Sequence, residues 1–93
     1  MLKIIAACGN GMGSSLMMKM RVEEAFKELN IPVKVEHMSV GDAKNVGNSY
    51  DVIFASSALV SNFSHVKNAK VIGLDNLLSK DEMLKKIKEN EIK

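Results

Sequence analysis

Leu2-Lys3-Ile4-Ile5-Ala6-Ala7-Cys8-Gly9-Asn10-Gly11-Met12-Gly13-Ser14-Ser15 is the stretch that decides the fold. Its first six residues are mostly apolar without strict alternation, as in a strand buried on both faces of a parallel sheet. Glycines at 9, 11 and 13 stop the strand, and a helical pattern from about Ser14 to Asn30 follows. Ser14 and Ser15 are residue types suited to its N-cap. Strand, glycine loop, helix: that order lets backbone N–H groups curl inward at the positive end of a helix, a setting suited to a phosphate-sized anion. Cys8, the single cysteine of the chain, stands immediately before the loop.

Beyond this stretch the pattern keeps alternating. On a helical wheel Met18, Val22, Ala25, Phe26 and Leu29 share one face, the expected core face, and Glu23 and Lys27 form an i,i+4 pair outside. Pro32 ends that helix. A second strand is expected over Val33 to Met38, where partly polar alternation suits a sheet edge. Residues Ser39 to Tyr50 read as a loop with one helical turn near Asp42 to Val46. Asp51 to Ala55 is a third strand, Ser56 and Ser57 cap a short helical or irregular segment over Ala58 to Val66, and Lys70 to Leu74 is a fourth strand. Ser79 with Glu82 three residues on forms a capping-box pattern that opens a last helix over Lys80 to Asn90.

Strands alternating with helices in a chain of 93 residues predict one α/β domain over 1–93. It is an open four-stranded parallel sheet with helices on both faces. Right-handed crossovers and a central first strand give the order 2-1-3-4, which puts the glycine loop at the topological switch point where such sheets bind ligands. The fold is Rossmann-like, with a P-loop-like site. The loop is not a Walker sequence, since no Gly-Lys-Ser/Thr follows, and Gly9-x-Gly11-x-Gly13 lacks the spacing of a dinucleotide fingerprint.

The composition narrows the function classes. A net charge of +2 and four aromatic residues give no electrostatic or stacking footprint for nucleic acid. One cysteine makes neither an internal disulfide nor a thiolate zinc site, and it fits a reducing cytosol. No apolar run approaches the roughly 20 residues of a membrane span. The expectation is a cytoplasmic protein without metal or organic cofactor.

Cys8 itself has two readings, a buried cysteine at a strand end and a phosphate-handling nucleophile. A helix N-terminus stabilises the thiolate and raises its reactivity at neutral pH, and the cradle already suits a transferred phosphoryl group. The spacing resembles the Cys-x5-Arg-Ser loop of low-molecular-weight tyrosine phosphatases, with Ser14 in place of the arginine and Ser15 retained. Without that guanidinium, bidentate stabilisation of hydrolysis is lost. No Asp-Pro general-acid loop occurs, Asp75 being followed by Asn76. Both absences favour a phosphocysteine that is handed on over one that is hydrolysed.

Cys8-Gly9-Asn10-Gly11-Met12-Gly13-Ser14-Ser15 with Met18-Lys19-Met20 resembles the IIB components of the bacterial sugar phosphotransferase system, most closely the ascorbate-specific branch. The resemblance in length and element order spans essentially the whole chain. It implies that Cys8 takes phosphate from a phosphohistidine on a IIA partner and passes it to a sugar held by a membrane IIC permease. It also implies that Gly9, Asn10, Gly11, Met12, Gly13, Ser14 and Ser15 bind the phosphoryl group. A cytoplasmic domain peripherally associated with the permease follows from it. The alternative is a small cysteine-dependent phosphatase or arsenate-reductase-like enzyme.

Transfer between proteins needs a docking face. The wheel that places Met18 inside places Leu16 and Met20 outside, with Met17 to one side; together with Met12, Lys19 and Arg21 they form the expected patch. Ser56 and Ser57, at the end of the third strand, are expected to face the crevice. His37 lies near the same end of an edge strand, and His65 reads as surface.

Overall fold

The computed structural model describes residues 2–8, 12–76 and 79–90, and the side chains of residues 8 and 12–15 lie outside that description. Four strands, β1 (Leu2–Cys8), β2 (Val33–Ser39), β3 (Val52–Ser56) and β4 (Lys70–Leu74), form one sheet in the order β2-β1-β3-β4. Every recorded pairing is parallel. The expected order and the edge position of β2 are therefore both found. Among the described residues the α-helices are α1 (Met12–Glu28), α2 (Val40–Val46) and α3 (Lys80–Glu89).

Because side chains alternate along each strand, the sheet feeds two cores. Ile4 and Ala6 of β1, Val35 of β2, Phe54 of β3 and Ile72 and Leu74 of β4 meet Met18, Val22, Ala25 and Phe26 of α1 and Met83 and Ile87 of α3. Phe26 and Phe54 pack edge to face there, with ring centroids 6.1 Å apart. On the other side Ile5, Ala7, Ile53 and Ala55 meet Val40 and Ala43 of α2 with Phe63 and Val66. The helical face predicted for α1 is the buried one, with Leu29 partly buried beside it. Burying such side chains contributes about 1.5–3 kcal/mol each, which is what fixes α1 against the sheet.

Four local expectations are corrected. α1 begins at Met12, so Ser14 and Ser15 are its third and fourth residues and not caps; helical backbone already includes Gly13, which leaves only residues 9–11 between strand and helix. Residues 40–46 form a full α2, continued by a 3-10 turn over Gly47–Ser49, where a loop with a single helical turn near Asp42 to Val46 was expected. Ser39 caps it, its Oγ accepting from the Asp42 N–H at 3.2 Å, and burial of Val40 and Ala43 supplies what propensity lacks in so short a helix. The capping box before α3 is half made: Ser79 Oγ accepts from the Glu82 N–H at 3.2 Å, but the Glu82 carboxylate turns to the chain after β4. Finally, the ion pairs of α1 among the described residues are Arg21–Glu24 at 3.1 Å and Glu28–Lys80 at 3.3 Å, not Glu23–Lys27. The second of these ties α1 to α3.

Candidate active site

Cys8 closes β1 at the carboxyl edge of the sheet, in register with Ser39, the last residue of β2. The β1–β3 ladder runs from Ile4↔Val52 to Ala6↔Phe54. Carried two positions further, the same register sets Ser56 level with Cys8. The chain leaves β1 toward α1 on one face and leaves β3 toward a 3-10 segment, Ser57–Phe63, on the other. Divergent exits from neighbouring strands open a crevice between β1 and β3, the topological switch point.

Of the expected anion cradle, Gly9, Asn10 and Gly11 lie outside the described residues, as do the side chains of Cys8, Met12, Ser14 and Ser15; of Gly13 only the helical backbone is described. The backbone of α1 is described from Met12, and helix geometry leaves its first four N–H groups without intrahelical acceptors. No acidic residue stands in that first turn to neutralise the positive end of the helix. An anion beside the end of β1 therefore meets a positive helix end whose own first turn carries no acid.

The other strand ends carry hydroxyls and carboxylates with defined partners. Ser56 Oγ accepts from the Ala58 N–H at 3.4 Å and so caps the 3-10 segment. The Ser57 hydroxyl donates to Asp75 Oδ1 at 2.9 Å, joining the exits of β3 and β4. Glu82, in the first turn of α3, accepts from the backbone N–H groups of Asp75 and Asn76, both at 2.8 Å. The turn after β4 is thus held by an acid that sequence spacing had assigned to a capping box. Ser39 was likewise missed as a site-edge residue, although it directly follows the alternating run of β2.

Of the expected rim residues, Met12 has its side chain outside the described residues. Leu16, Met17 and Met20 on α1 are 46%, 50% and 53% exposed, an unusual apolar strip in the first turns of a helix. Lys19 is half-buried, and the Arg21 guanidinium engages Glu24. His37 is half-buried on β2 in register with Ala6, and no described group hydrogen-bonds to its ring. His65 is exposed and its Nε2–H donates to the Lys44 carbonyl at 2.9 Å, which ties the 3-10 segment to α2. The Tyr50 hydroxyl donates to Glu36 on the α2 side of the sheet. That hydrogen bond, with partial burial and the Glu36 charge, raises the phenol above its ordinary value of 10. Among the described residues no helix is long and apolar enough to cross a membrane.

Comparison with known proteins shows the family. Residues 3–89 match the family model described as "PTS system, Lactose/Cellobiose specific IIB subunit". The ascorbate-specific PTS system EIIB component of Mycoplasma pneumoniae is 45% identical over 82 residues, which cover 88% of this chain and 86% of that protein. The ascorbate-specific PTS system EIIB component of Shigella dysenteriae is 37% identical over 92 residues, 95% of this chain and 91% of that one. Among solved structures, the lactose-specific IIB component domain of Streptococcus pneumoniae is alike in fold, with a TM-score of 0.68, 17% identity and 95% of each chain covered.

Proposed function

We propose, for a chain that belongs to the lactose/cellobiose-specific IIB family of the phosphotransferase system, that Cys8 carries the phosphoryl group as phosphocysteine between a IIA phosphohistidine and a sugar bound by IIC. The sugar is L-ascorbate, a reading supported by relatives named as ascorbate-specific at 45% and 37% identity. The observation that carries the carrier reading is the position of the single cysteine: it ends β1 at the switch point, directly before the positive end of α1.

In the first step the Cys8 thiolate attacks phosphorus in line with the phosphohistidine P–N bond. An S–P bond forms, the P–N bond breaks, and the imidazole takes up the equivalent of the proton the thiol gave up. In the second step a sugar hydroxyl attacks phosphorus, losing its proton as the S–P bond breaks and the thiolate is regenerated. Backbone N–H groups of residues 9–15 stabilise the charge that spreads over the phosphoryl oxygens in both steps. Ser14 stands where a hydrolytic loop of this spacing has arginine, so the S–P bond is less exposed to attack by water.

Leu16, Met17 and Met20, with Met12, Lys19 and Arg21, form the surface that meets IIA and then IIC. Flexible methionine suits a face that must pack against two partners in turn. Docking on IIC holds the protein at the cytoplasmic side of the membrane.

The test is to incubate the protein with phosphorylated IIA and measure its intact mass. One added phosphate that maps to Cys8 and disappears in Cys8→Ser supports the reading. An unmodified wild-type chain overturns it.

A further inference from the structure

β2 is the outer strand beside β1, and its far side has no strand to pair with. The Leu2 N–H donates to the Pro32 carbonyl at 3.3 Å, and the register runs on from Leu2↔Val33 to Cys8↔Ser39. Along a strand, backbone groups turn to alternate sides residue by residue. Pro32, Lys34 and Glu36 therefore turn theirs toward β1, while Val33, Val35 and His37 turn theirs outward. Among the described residues no group bonds to those outward N–H and C=O groups.

Exposed edges are commonly guarded by proline, by bulges or by charge. Here Pro32 guards only the start, and Val33–Ser39 pairs with β1 residue for residue, without a bulge. The charges are Lys34 and Glu36, of opposite sign. Val35 between them is buried under α1, so both lie on the sheet face that carries α2. The buried residues of α2 pack on β1 and β3, which leaves Lys34 exposed and Glu36 half-buried. Their contact with each other, 3.9 Å, is long for an ion pair, and the second oxygen of Glu36 accepts from Tyr50.

Charge selects how a second copy of this strand fits. Two antiparallel copies of β2 related by a two-fold axis at Val35 set Lys34 of each directly opposite Glu36 of the other. An axis at Lys34 or at Glu36 opposes like charges, which is destabilising, and an axis at Val33 or His37 gives neither an opposite charge. The axis at Val35 also matches the outward backbone. Val35 exchanges both hydrogen bonds with Val35 of the second copy, and Val33 exchanges both with His37 of the second copy. Lys34 and Glu36 then form the closer, non-hydrogen-bonded kind of pair, with Cα atoms about 4.5 Å apart. The opposite outer strand has no such match, since centring β4 on Ile72 sets Lys70 against Leu74.

The α1 face leaves room for this pairing. Glu28 reaches Lys80 of α3, so the other flank of α1, with Glu23, Lys27 and Asn30, overlooks the outer side of β2. With Val33 these residues line an open groove of about 390 Å³. His37 of the second copy, opposite Val33 and on the same face, falls at that groove.

We propose that β2 is a self-pairing strand: two copies of this chain associate through antiparallel β2 strands, in the register set by Lys34 and Glu36, into one continuous sheet. One strand from each copy makes a contact well below the standard interface size, so association is weak, half complete near about 100 µM. The paired stretch stops at His37, and Cys8, in register with Ser39, lies beyond it in both copies. Pairing is thus independent of phosphate transfer.

Sedimentation equilibrium of the full chain between about 10 µM and about 1 mM tests it. Wild type passes from the monomer mass toward twice that mass. Lys34→Glu and Glu36→Lys each oppose like charges at both ends of the pairing and weaken association about tenfold. An equimolar mixture of the two variants, in which every such pair is again lysine with glutamate, associates as wild type does. That recovery distinguishes pairing from damage to the fold, since Glu36→Lys also removes the hydrogen bond from Tyr50. Amide exchange locates the contact: the N–H groups of Val35 and His37 exchange more slowly at high concentration, and that of Glu36, turned to β1, is unchanged. Wild type that stays monomeric at about 1 mM overturns the proposal and leaves this side of β2 to a strand from another protein. Lys34→Glu that associates as wild type does, or a mixture that stays monomeric, overturns it equally.

Discussion

The two edges of the sheet use polar side chains in different ways. At the amino edge, polar side chains take up strand backbone. The Asp51 carboxylate accepts from the Lys3 N–H at 2.8 Å, while the Asp51 N–H donates back to the Lys3 carbonyl at 2.8 Å. Asn48 Oδ1 accepts from the N–H groups of Lys67 and Asn68 at 2.9 and 3.2 Å, binding the turn before β3 to the turn before β4. At the carboxyl edge Ser39 and Ser56 accept one hydrogen bond each, from the N–H groups of Asp42 and Ala58, Cys8 stands in register with Ser39, and α1 begins without an acid in its first turn. Side chains at one edge are spent on joining strands. At the other, Ser39 and Ser56 cap short segments, and Ser57 with Asp75 links the exits of β3 and β4.

That contrast can be broken by mutation. Asn48→Ala combined with Asp51→Ala removes three hydrogen bonds to backbone at the amino edge. It lowers unfolding free energy by about 2 kcal/mol in a denaturant titration, near 1 kcal/mol per side chain, and leaves phosphate uptake by the folded protein unchanged. An uptake defect in this pair would show that the edges are not independent. Met20→Glu, on the exposed strip of α1, acts in the opposite sense: IIA-dependent phosphorylation slows about tenfold while stability stays within about 0.5 kcal/mol of wild type. An unchanged rate removes Met20 from the docking face.

Glu82→Gln sharpens the contrast, because Glu82 holds the turn after β4 as Asp51 holds the start of β1. An amide oxygen can accept one of the two N–H bonds but not both with carboxylate strength, so the loss is about 1 kcal/mol in the same titration. The smallest effect belongs to Tyr50, the single tyrosine. Its raised value means that the folded state holds the phenolic proton more tightly, so this stabilisation is complete below pH 10 and is lost as pH rises through the folded value. Phenolate absorbance of the native protein reads a midpoint above 10, and Glu36→Gln moves it back toward 10.

The sheet was legible because its strands carry strong local signals. Ile4 to Ala7 and Val52 to Ala55 are apolar on both faces, and helical periodicity from Met18 to Leu29 allowed a single core face. Weak signals failed where tertiary contacts decide. Val40–Val46 holds one glycine and few good helix formers, and becomes α2 because Val40 and Ala43 are buried against β1 and β3. Glu82 had the right spacing for a capping box, but the N–H groups of Asp75 and Asn76 lie within its reach and take its carboxylate. Ser39 looked like the first residue of a loop; only strand register shows that it stands beside Cys8. Position along the sequence identified the cysteine, whereas its neighbours across the sheet are a property of pairing.

The central claim is that Cys8 holds phosphate for transfer. It is tested most directly by freeing the phosphorylated protein of IIA, incubating it in buffer, and then adding unphosphorylated IIA. The carrier account predicts that phosphate stays on Cys8 through the incubation and returns to the IIA histidine. Release of inorganic phosphate before IIA is added, with none recovered on the histidine, would contradict it.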